Sequence, residues 1–511
     1  MKKISSIMLL IVLLGSVFSS IGICKPTDLN ASIITSLSCN CGIQITANSK
    51  YQYSPMLQPI VVDDQIISDT SEISIIATPD TFSWRNVDGI DWTTPTKHQK
   101  NCGSCWDFAA LGALESTVKI REDCHRLNPD FSEQYVLSCL PDAANTYGKG
   151  CWGGNPSRAY YYIIDTGPDG NFCNGIIPES CFPYQMSHDV PCEDKCPNWE
   201  DYLVPLMNTS ELWLGYDSVE NRDIIKSQIM VNGPVAAGIN VSNEFIQFFQ
   251  LHQKETDYFP DPDMPWGDRL NHIIVILGWK DDPSITNGGY WICKNSWGSD
   301  WGYDGFFNIE YGALFTGFVI TWAEYDPADY DWPPVSIPGP YHEVGIQEEI
   351  VFDASESVDP EGELISYHWD FGDGTTSDEV SVSHSYNSEG LYFVNLTVKD
   401  TSNQSSTATT IVGVDESPFE ISISGGVGFE IIIHNLIDKQ LEMVYWNADV
   451  KGLVAVEKSF GYIYQLAIDQ HKSIALITLG FGPGKIRFDC NGFTSSRWFF
   501  IVGPFVFVFP F

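Results

Sequence analysis

The apolar positions of the chain follow two different periods. From Cys105 to about residue 121 they recur at helical spacing, at Trp106, Ala109, Ala110, Ala113 and Val118. This spacing predicts an amphipathic helix that begins at the cysteine, with Gly103 and Ser104 bending and capping the chain ahead of it. A continuous apolar run that opens at His272 is typical of a strand. From about residue 335 onward, short alternating segments at regular spacing predict all-β structure.

The segment 416–511 continues the β alternation. Its predicted strands are residues 419–423, 429–433, 441–446, 473–479, 486–488 and 498–509. We interpret it as a second small sandwich, and no motif in it carries chemistry. Its apolar end, residues 505–511, is either a terminal strand tucked into this domain or a docking strip for a partner.

The N-terminus has the pattern of a secretory signal. Lys2 and Lys3 precede an apolar run over residues 8–18, and residues 19–22 offer a cleavage region. The run is too short to span a bilayer. A lipid-anchored Cys24 is the alternative, although Ile23 stands where a small residue is wanted. The sequence therefore predicts a secreted protein without a transmembrane anchor.

Length, charge and cysteine content further limit the class of protein to which the chain can belong. A chain of 511 residues predicts roughly three domains. The net charge of −39 argues against nucleic acid or an anionic membrane as a partner. The 14 cysteines of an exported chain predict disulfides together with a working thiol.

Cys105 is the candidate nucleophile. At a helix N-terminus, exposed N–H groups and the helix dipole favour negative charge, so a thiol that normally ionises near about 8.5 can become a thiolate at lower pH. Such a thiolate still needs a proton partner and a donor for the oxyanion. His272 and Gln99 are the candidates for these two roles.

Three separated motifs resemble those of the papain/cathepsin cysteine proteases. They are Q-x-x-C-G-S-C-W from Gln99, N-H followed by an apolar run and G-W around His272, and K-N-S-W-G-S-D-W-G from Lys294. The resemblance covers residues 82–325 and implies a two-lobed fold, helical in one lobe and β-barrel-like in the other, with the site between the lobes. His272 lies 167 residues after Cys105, more than the about 130–150 of the family, which indicates surface insertions.

The resemblance implies a role for each site residue. Cys105 attacks as thiolate, His272 acts as acid and base, and Asn295 orients the imidazole under the cover of Trp297. Gln99 and the Cys105 backbone N–H bind the oxyanion of the thioester-forming reaction. The resemblance implies no cofactor and no metal.

The same resemblance implies a substrate cleft. Gly153 and Gly154 pair with extended peptide, and the pocket for the P2 residue is apolar, which predicts a bulky aliphatic or aromatic P2 residue; its walls are Pro156, Gly238, Leu270 and Thr321. The segment 181–192 is shorter than an occluding loop and has one histidine, His188, which reads as a surface residue. An open cleft favours endopeptidase activity.

Two disulfides are implied as well. Cys102 pairs with Cys151, and Cys139 pairs with a cysteine near Cys192. Pairing among Cys173, Cys181 and Cys196 stays open. Residues 25–78 read as a pro-segment or linker without a long helix. In them Cys39 and Cys41 form either a local disulfide or a mask over Cys105.

Asp107 departs from the family pattern, which has a small apolar residue there. A carboxylate two residues after the nucleophile either suits the helix dipole or raises the pKa of Cys105 by repulsion.

Residues 335–415 resemble a polycystic-kidney-disease (PKD) domain, an immunoglobulin-like sandwich. The resemblance rests on the W-D-F-G-D-G turn from Trp369 and the strand patterns around it. Trp369 and Phe371 are predicted core residues. Calcium binding by Asp353, Asp359 or Asp373 is an open alternative to a purely structural turn. The proline-rich stretch 332–340 reads as a semi-rigid linker.

We expect an α+β protein with a signal peptide (1–24), a pro-segment (25–78), a papain-like domain (79–330), a PKD-like sandwich (335–415) and a C-terminal module (416–511). The expected function is a secreted cysteine endopeptidase that acts on proteins and peptides, with C-terminal modules that contact a polymer or cell surface. A silent peptide-binding scaffold and a ligase or transpeptidase are the alternatives.

Overall fold

The computed structural model describes residues 76–139, 150–164, 175–261 and 270–416, together with strands between residues 419 and 508 that are separated by short gaps. The predicted signal peptide, nearly all of the pro-segment and the Cys39/Cys41 pair lie outside the described residues, as does Cys173.

The first lobe is built from helices around a central one. Helix α1 is Cys105–Arg121, and α2 (Glu133–Cys139) and α3 (Pro156–Ile164) pack against it. The hydrophobic core of this lobe contains Leu111, Leu137 and Ile163. The helix boundary predicted at Cys105 is confirmed.

Helix α1 is not amphipathic, and this prediction was wrong. All of residues 105–119 are buried, including Glu115 and Lys119. The reason is its position: one side meets α2 and α3, and the other lies against the sheet of the second lobe. Ser104 also makes no side-chain cap, because its hydroxyl pairs with the Tyr184 hydroxyl at 3.0 Å.

The second lobe is an antiparallel sheet in the order β2-β7-β3-β4-β5-β6, with β1 paired to β4. Its strands are β1 (Thr81–Ser83), β2 (Asn208–Trp213), β3 (Val235–Ile239), β4 (His272–Asp281), β5 (Gly289–Lys294), β6 (Phe306–Glu310) and β7 (Val319–Glu324). Helices α4 (Val219–Asn232) and α5 (Asn243–Leu251) flank it. Ser218 and Ser242 cap them by accepting from the N–H groups of Asn221 and Phe245. The two-lobed α+β architecture is the predicted one.

The stretch after the second lobe, predicted as a semi-rigid linker, begins docked against the helical lobe. The Trp332 ring lies in the core of the helical lobe, and its indole N–H donates to the Glu122 carboxylate at 3.1 Å and to the Tyr325 hydroxyl at 2.9 Å. Tyr325 also donates to Glu122. Val335 then bridges to Val358 of the next domain. The linker is therefore held at one end by the Trp332 side chain and at the other by backbone hydrogen bonds between Val335 and Val358, neither of which the proline pattern revealed.

We predict that Tyr325→Phe destabilises the helical lobe by about 1–3 kcal/mol, because the change leaves the buried Glu122 carboxylate with one donor fewer. Thermal unfolding of the variant and the wild type measures the effect. Tyr216→Phe is the matched control, since Tyr216 is exposed. Equal unfolding temperatures for both variants contradict the prediction.

The PKD-like domain consists of two sheets, β11-β10-β13-β14-β8 and β12-β9. The strands are β8 (His342–Val344), β9 (Ile350–Asp353), β10 (Leu364–Asp370), β11 (Thr376–Ser377), β12 (Ser381–His384), β13 (Gly390–Asp400) and β14 (Ser405–Val414). Trp369 and Phe371 are core residues, as predicted. Asp373 accepts from Thr375 and faces His384 at 2.9 Å. No cluster of three or more metal-binding side chains occurs among the described residues.

The C-terminal module has two sheets, β15-β16-β20 and β19-β17-β21-β22-β23, the second with β18 attached to β21. Its strands are β15 (Phe419–Gly426), β16 (Gly428–Asn435), β17 (Leu441–Lys451), β18 (Val454–Val456), β19 (Phe460–Leu466), β20 (His471–Leu476), β21 (Thr478–Cys490), β22 (Phe493–Gly503) and β23 (Phe505–Val508). The single strand predicted over 498–509 is two antiparallel strands. Because β23 pairs along β22 and Val506 is buried, the terminal-strand reading is favoured.

Across the part of the chain that the structure describes, no helix combines the length and apolarity needed to cross a bilayer.

Candidate active site

The candidate nucleophile lies at the N-terminus of α1. Cys105 is the first residue of the helix and its side chain is fully buried. The Cys102–Cys151 disulfide holds the segment just before it, and Gly103 N–H donates to the Cys151 carbonyl at 3.0 Å. The approach to the helix is therefore tied to the loop that carries Gly153.

The candidate base and its orienter are in direct contact. His272 begins β4 and Asn295 directly follows β5, so the two adjacent strands place them side by side. His272 Nε2 lies 2.8 Å from Asn295 Oδ1. The Trp297 ring covers the imidazole, with 4.8 Å between ring centroids. This bond fixes the orientation of the imidazole.

The nucleophile and base belong to facing elements. The second and third turns of α1 meet the start of β4 and the end of β5 around one small cavity, lined among others by Ala109, Ile273 and Asn295. Helix α1 packs closely on β4. The N-terminal part of the helix and the first residues of β4 thus approach each other across the junction of the lobes.

Gln99 is held rigidly between the two lobes. Its side-chain oxygen accepts from the Ser296 hydroxyl at 2.6 Å, and its amide nitrogen donates to the Cys102 carbonyl at 2.8 Å. Its backbone N–H also donates to the Ser296 carbonyl at 2.9 Å. The donor side of the amide is therefore directed toward the start of α1.

The two adjacent glycines line the same region. A Cβ on Gly154 would lie 2.3 Å from the Trp106 ring, so only glycine allows the loop to approach the helix this closely. Gly153 has φ of +107°, a conformation that side-chain-bearing residues rarely adopt. Trp106 Nε1 donates to the Gly150 carbonyl at 3.2 Å. The loop presents backbone next to the nucleophile.

The predicted pocket residues come partly together. A Cβ on Gly238 would lie 2.7 Å from Leu270 Cδ1, so these two are in contact. Thr321 on β7 pairs in register with Ala236 on β3, two residues from Gly238. Pro156 begins α3, which packs against β2 and β7. Pro156 therefore lies on a helix that packs against the strand carrying Thr321.

The structure contains the two disulfides that the resemblance implies, Cys102–Cys151 and Cys139–Cys192, and a third, Cys181–Cys196, that the sequence left open. His188 lies partly at the surface, as predicted: its side chain is 22% exposed, packs on Gly150 and accepts from the Cys151 N–H at 3.4 Å. It supports the disulfide loop.

Sequence reasoning missed a charged cluster behind the nucleophile. The Lys97 ammonium lies 2.7 Å from Glu115, 2.6 Å from Asp130 and 3.0 Å from Glu133. Burial raises the pKa of Glu133 to about 7, while the Lys97 charge opposes the shift. The amphipathic interpretation of α1 rested on its apolar positions and did not consider Glu115.

A second buried lysine lies beside the orienter. Lys294 directly precedes Asn295 and donates to the Thr94 hydroxyl at 2.9 Å, and Thr94 in turn donates to Glu115 at 2.7 Å. Burial lowers the pKa of Lys294 to about 8. This chain of contacts connects the site to the charged cluster.

Two parts of the chain match known protein families. Residues 78–317 match the model of the papain family cysteine proteases, and residues 331–414 match that of the PKD domain. Pro-cathepsin H of Bos taurus is 30% identical over 241 residues, which are 47% of this chain and 62% of that protein. Fruit bromelain of Ananas comosus is 31% identical over 262 residues, 51% of this chain and 63% of that protein.

The chain thus spans about three fifths of the length of these curated relatives. The solved structure of a digestive procathepsin L2 proteinase from Tenebrio molitor larval midgut aligns with a TM-score of 0.40 at 25% identity, covering 51% of this chain and 73% of that one. Residues 78–317 are a papain-family cysteine protease domain, and a PKD domain follows them at residues 331–414.

Proposed function

We propose that the protein is a secreted cysteine endopeptidase that hydrolyses peptide bonds through Cys105, His272 and Asn295. The observation that carries the proposal is the 2.8 Å contact between His272 Nε2 and Asn295 Oδ1, on strands that face the helix N-terminus where Cys105 lies. In this proposal the other imidazole nitrogen is the proton carrier for the nucleophile.

The reaction follows from these positions. The Cys105 thiolate attacks the scissile carbonyl carbon, and the developing oxyanion is stabilised by the Gln99 amide and the Cys105 backbone N–H. His272 donates its proton to the leaving amine, which leaves a thioester on Cys105. His272 then takes a proton from water, which attacks the thioester and releases the acid product. Asn295 keeps the imidazole in the orientation that both transfers need.

The test is chemical labelling of the full chain, before and after incubation at acidic pH, with a thiol-directed epoxide under mild reduction. An adduct confined to Cys105 is the expected result. Cys124 and Cys293 serve as internal controls, because burial raises the pKa of both thiols. Absence of an adduct at Cys105 in both states overturns the proposal and favours the silent scaffold.

The pocket around Gly238 and Leu270 supports an apolar P2 preference in this proposal. Gly238 lies next to the side chains of Leu270 and Val319, which are both aliphatic. We propose that Gly153 and Gly154 bind the substrate backbone as an added strand. In this proposal Trp297 covers the His272 imidazole, and Thr321 forms part of the wall of the P2 pocket. The C-terminal modules, in this proposal, contact a polymeric or cell-surface target.

We predict that Gly238→Ala lowers kcat/KM about tenfold for peptides with phenylalanine at P2 and less for those with valine. The added Cβ would lie 2.7 Å from Leu270 and 3.3 Å from Val319, so the pocket becomes shallower. The measurement is the ratio of the two kcat/KM values. Gly112→Ala is the control, because its Cβ would make ordinary contacts of 3.7 Å or more. An unchanged ratio in Gly238→Ala contradicts the pocket assignment.

The ligase or transpeptidase alternative uses the same thioester and differs in the group that attacks it. Adding an amine nucleophile to a peptide assay distinguishes the two. Release of the free acid supports hydrolysis, and accumulation of the amide product favours transfer.

A further inference from the structure

Asp107 is a buried acid without a hydrogen-bond partner. Its side chain is fully buried, and neither carboxyl oxygen has a partner among the described residues. It lies in the first turn of α1, two residues after Cys105, and its backbone N–H donates to the Ser104 carbonyl at 3.0 Å. A buried ionised carboxylate without donors is costly, so this group is most stable with its proton on.

The groups that face Asp107 come from three other elements. Glu133 lies on α2, Glu179 and Tyr184 lie in the segment around Cys181, and Lys97 precedes the helix. Burial raises the pKa of the Asp107 carboxyl well above its usual range, and the negative charge of Glu133 raises it further. Glu179 acts in the same direction, and only Lys97 opposes it.

Lys97 is already committed to other acids. Its ammonium contacts Glu115, Asp130 and Glu133 within 3.0 Å and also donates to the Phe131 carbonyl. An ammonium has three hydrogens to donate, so these contacts use its full capacity. Asp107 therefore lies near a cation whose donors are directed elsewhere.

A second acid of the group shows the same effect. Burial raises the pKa of Glu179 to about 8, with the Glu133 charge as the next cause. The Glu179 carboxylate accepts from the Tyr184 N–H at 2.7 Å through one oxygen, and its other oxygen has no partner in the described part of the chain. More carboxyl groups meet here than Lys97 and Lys294 together can neutralise.

The position of Asp107 connects its charge to the reaction. Two residues along a helix correspond to about 3 Å along the axis. The helix N-terminus favours one anion there, and two anions at the same end repel each other. An ionised Asp107 therefore favours the thiol–imidazole pair over the thiolate–imidazolium pair, with the proton returning from His272 to Cys105.

We propose that Asp107 is a positioning residue that keeps its proton in the active enzyme, and that its ionisation disfavours the thiolate–imidazolium pair of Cys105 and His272 relative to the thiol–imidazole pair. The inference rests on the proposed peptidase function. It makes this protease an acid-adapted one through a single residue of its nucleophile helix.

The test compares the wild type with Asp107→Asn, which has the same shape and cannot ionise. The rate of Cys105 alkylation by iodoacetamide and the kcat/KM for a peptide are measured from pH 4 to pH 9. We expect the decline of both rates at high pH to begin about one pH unit higher in Asp107→Asn than in the wild type. At a pH one unit above the midpoint of the wild-type decline, the variant is then about tenfold faster. Superimposable profiles overturn the inference.

Asp130→Asn is the matched control, because it removes another acid of the cluster that is 55% exposed and outside α1. Its profile is expected to follow the wild type. If the pH profile of Asp130→Asn shifts as far as that of Asp107→Asn, the role assigned to Asp107 is overturned, because the loss of any negative charge in the cluster would then produce the shift.

A stability readout covers the case in which a variant folds poorly. The folded state retains a proton that the unfolded chain releases near pH 3.9. The wild type therefore loses stability relative to Asp107→Asn as the pH rises from that value toward the raised folded-state pKa. Thermal unfolding at pH 4 and pH 7 is expected to show a gap between the two proteins that widens with pH. A constant gap overturns the inference.

Failure of the proposed function gives a different pattern. If wild-type Cys105 is alkylated no faster than Cys124 and no peptide is cleaved, the peptidase proposal fails and this inference falls with it. If the wild type reacts normally and Asp107→Asn follows the same profile, only this inference fails.

Discussion

Replacing Cys105 by alanine is expected to lower kcat/KM for peptide substrates by roughly 10⁴-fold to 10⁶-fold. The sulfur at the start of α1 is the atom that forms the thioester in the proposed mechanism, and no other described thiol lies at a helix N-terminus. Peptide hydrolysis by the purified, acid-treated protein measures the effect. The remaining activity reports what the oxyanion donors and substrate positioning achieve without covalent catalysis.

Cys124→Ala is the control for this change. Cys124 is also buried and lies just beyond the opposite end of α1. Its variant is expected to keep the wild-type kcat/KM. Activity of Cys105→Ala within tenfold of the wild type contradicts covalent catalysis by this residue.

Replacing Gln99 by alanine is expected to lower kcat about 10²–10³-fold, equivalent to about 2.7–4 kcal/mol of transition-state stabilisation, with little change in KM. The amide is fixed by Ser296 on one side and the Cys102 carbonyl on the other. Because the donor is already oriented, it needs no reorganisation when negative charge develops. Steady-state kinetics with a peptide substrate separates the effects on kcat and KM.

Gln99→Glu distinguishes the lost donor from a disturbed fold. Glutamate keeps the shape of the side chain and its acceptor for Ser296, but it has no N–H to offer an oxyanion. We expect a loss at least as large as that of the alanine variant. Because Gln99 is buried and its amide also donates to the Cys102 carbonyl, the unfolding temperature is expected to fall, and circular dichroism at the assay temperature checks that the variant is folded. If both variants keep kcat within about twofold, Gln99 is not an oxyanion donor.

The sequence predicted the start of the nucleophile helix correctly and its surroundings incorrectly. Periodicity locates a helix and its apolar face, but it does not show what lies against the other face. Glu115 and Lys119 are typical of a solvated face, and here they are buried between the lobes. A second packing layer contributed by a distant segment is a long-range property that local spacing does not encode.

The same limit applies to the polar cluster. Lys97 and Glu133 are 36 residues apart and meet only after the lobe has folded. Nothing in the local sequence around Glu133 indicated a contact with Lys97. Asp107 was recognisable as a departure, but its lack of partners depends on three elements packing around it.

The disulfides show how far resemblance extends. The pairs of Cys102 and Cys139 were implied by family positions and occur in the structure. The Cys181–Cys196 disulfide was one of several pairings that the sequence left open, because connectivity depends on spatial proximity, which sequence order does not fix. The C-terminal strands were likewise found by alternation, while β18 and β19 were missed.

The docked Trp332 limits where the chain can be cut without harming the catalytic lobes. The family match ends at residue 317, before β7, which lies between β2 and β3 in the sheet. Proteolytic trimming at that point removes a central strand, and trimming before Trp332 leaves Glu122 exposed to water beside an unfilled cleft in the core. The shortest stable fragment of the two lobes is therefore expected to extend past residue 332, so a cut that separates the C-terminal modules without harming this core has to lie downstream of that residue.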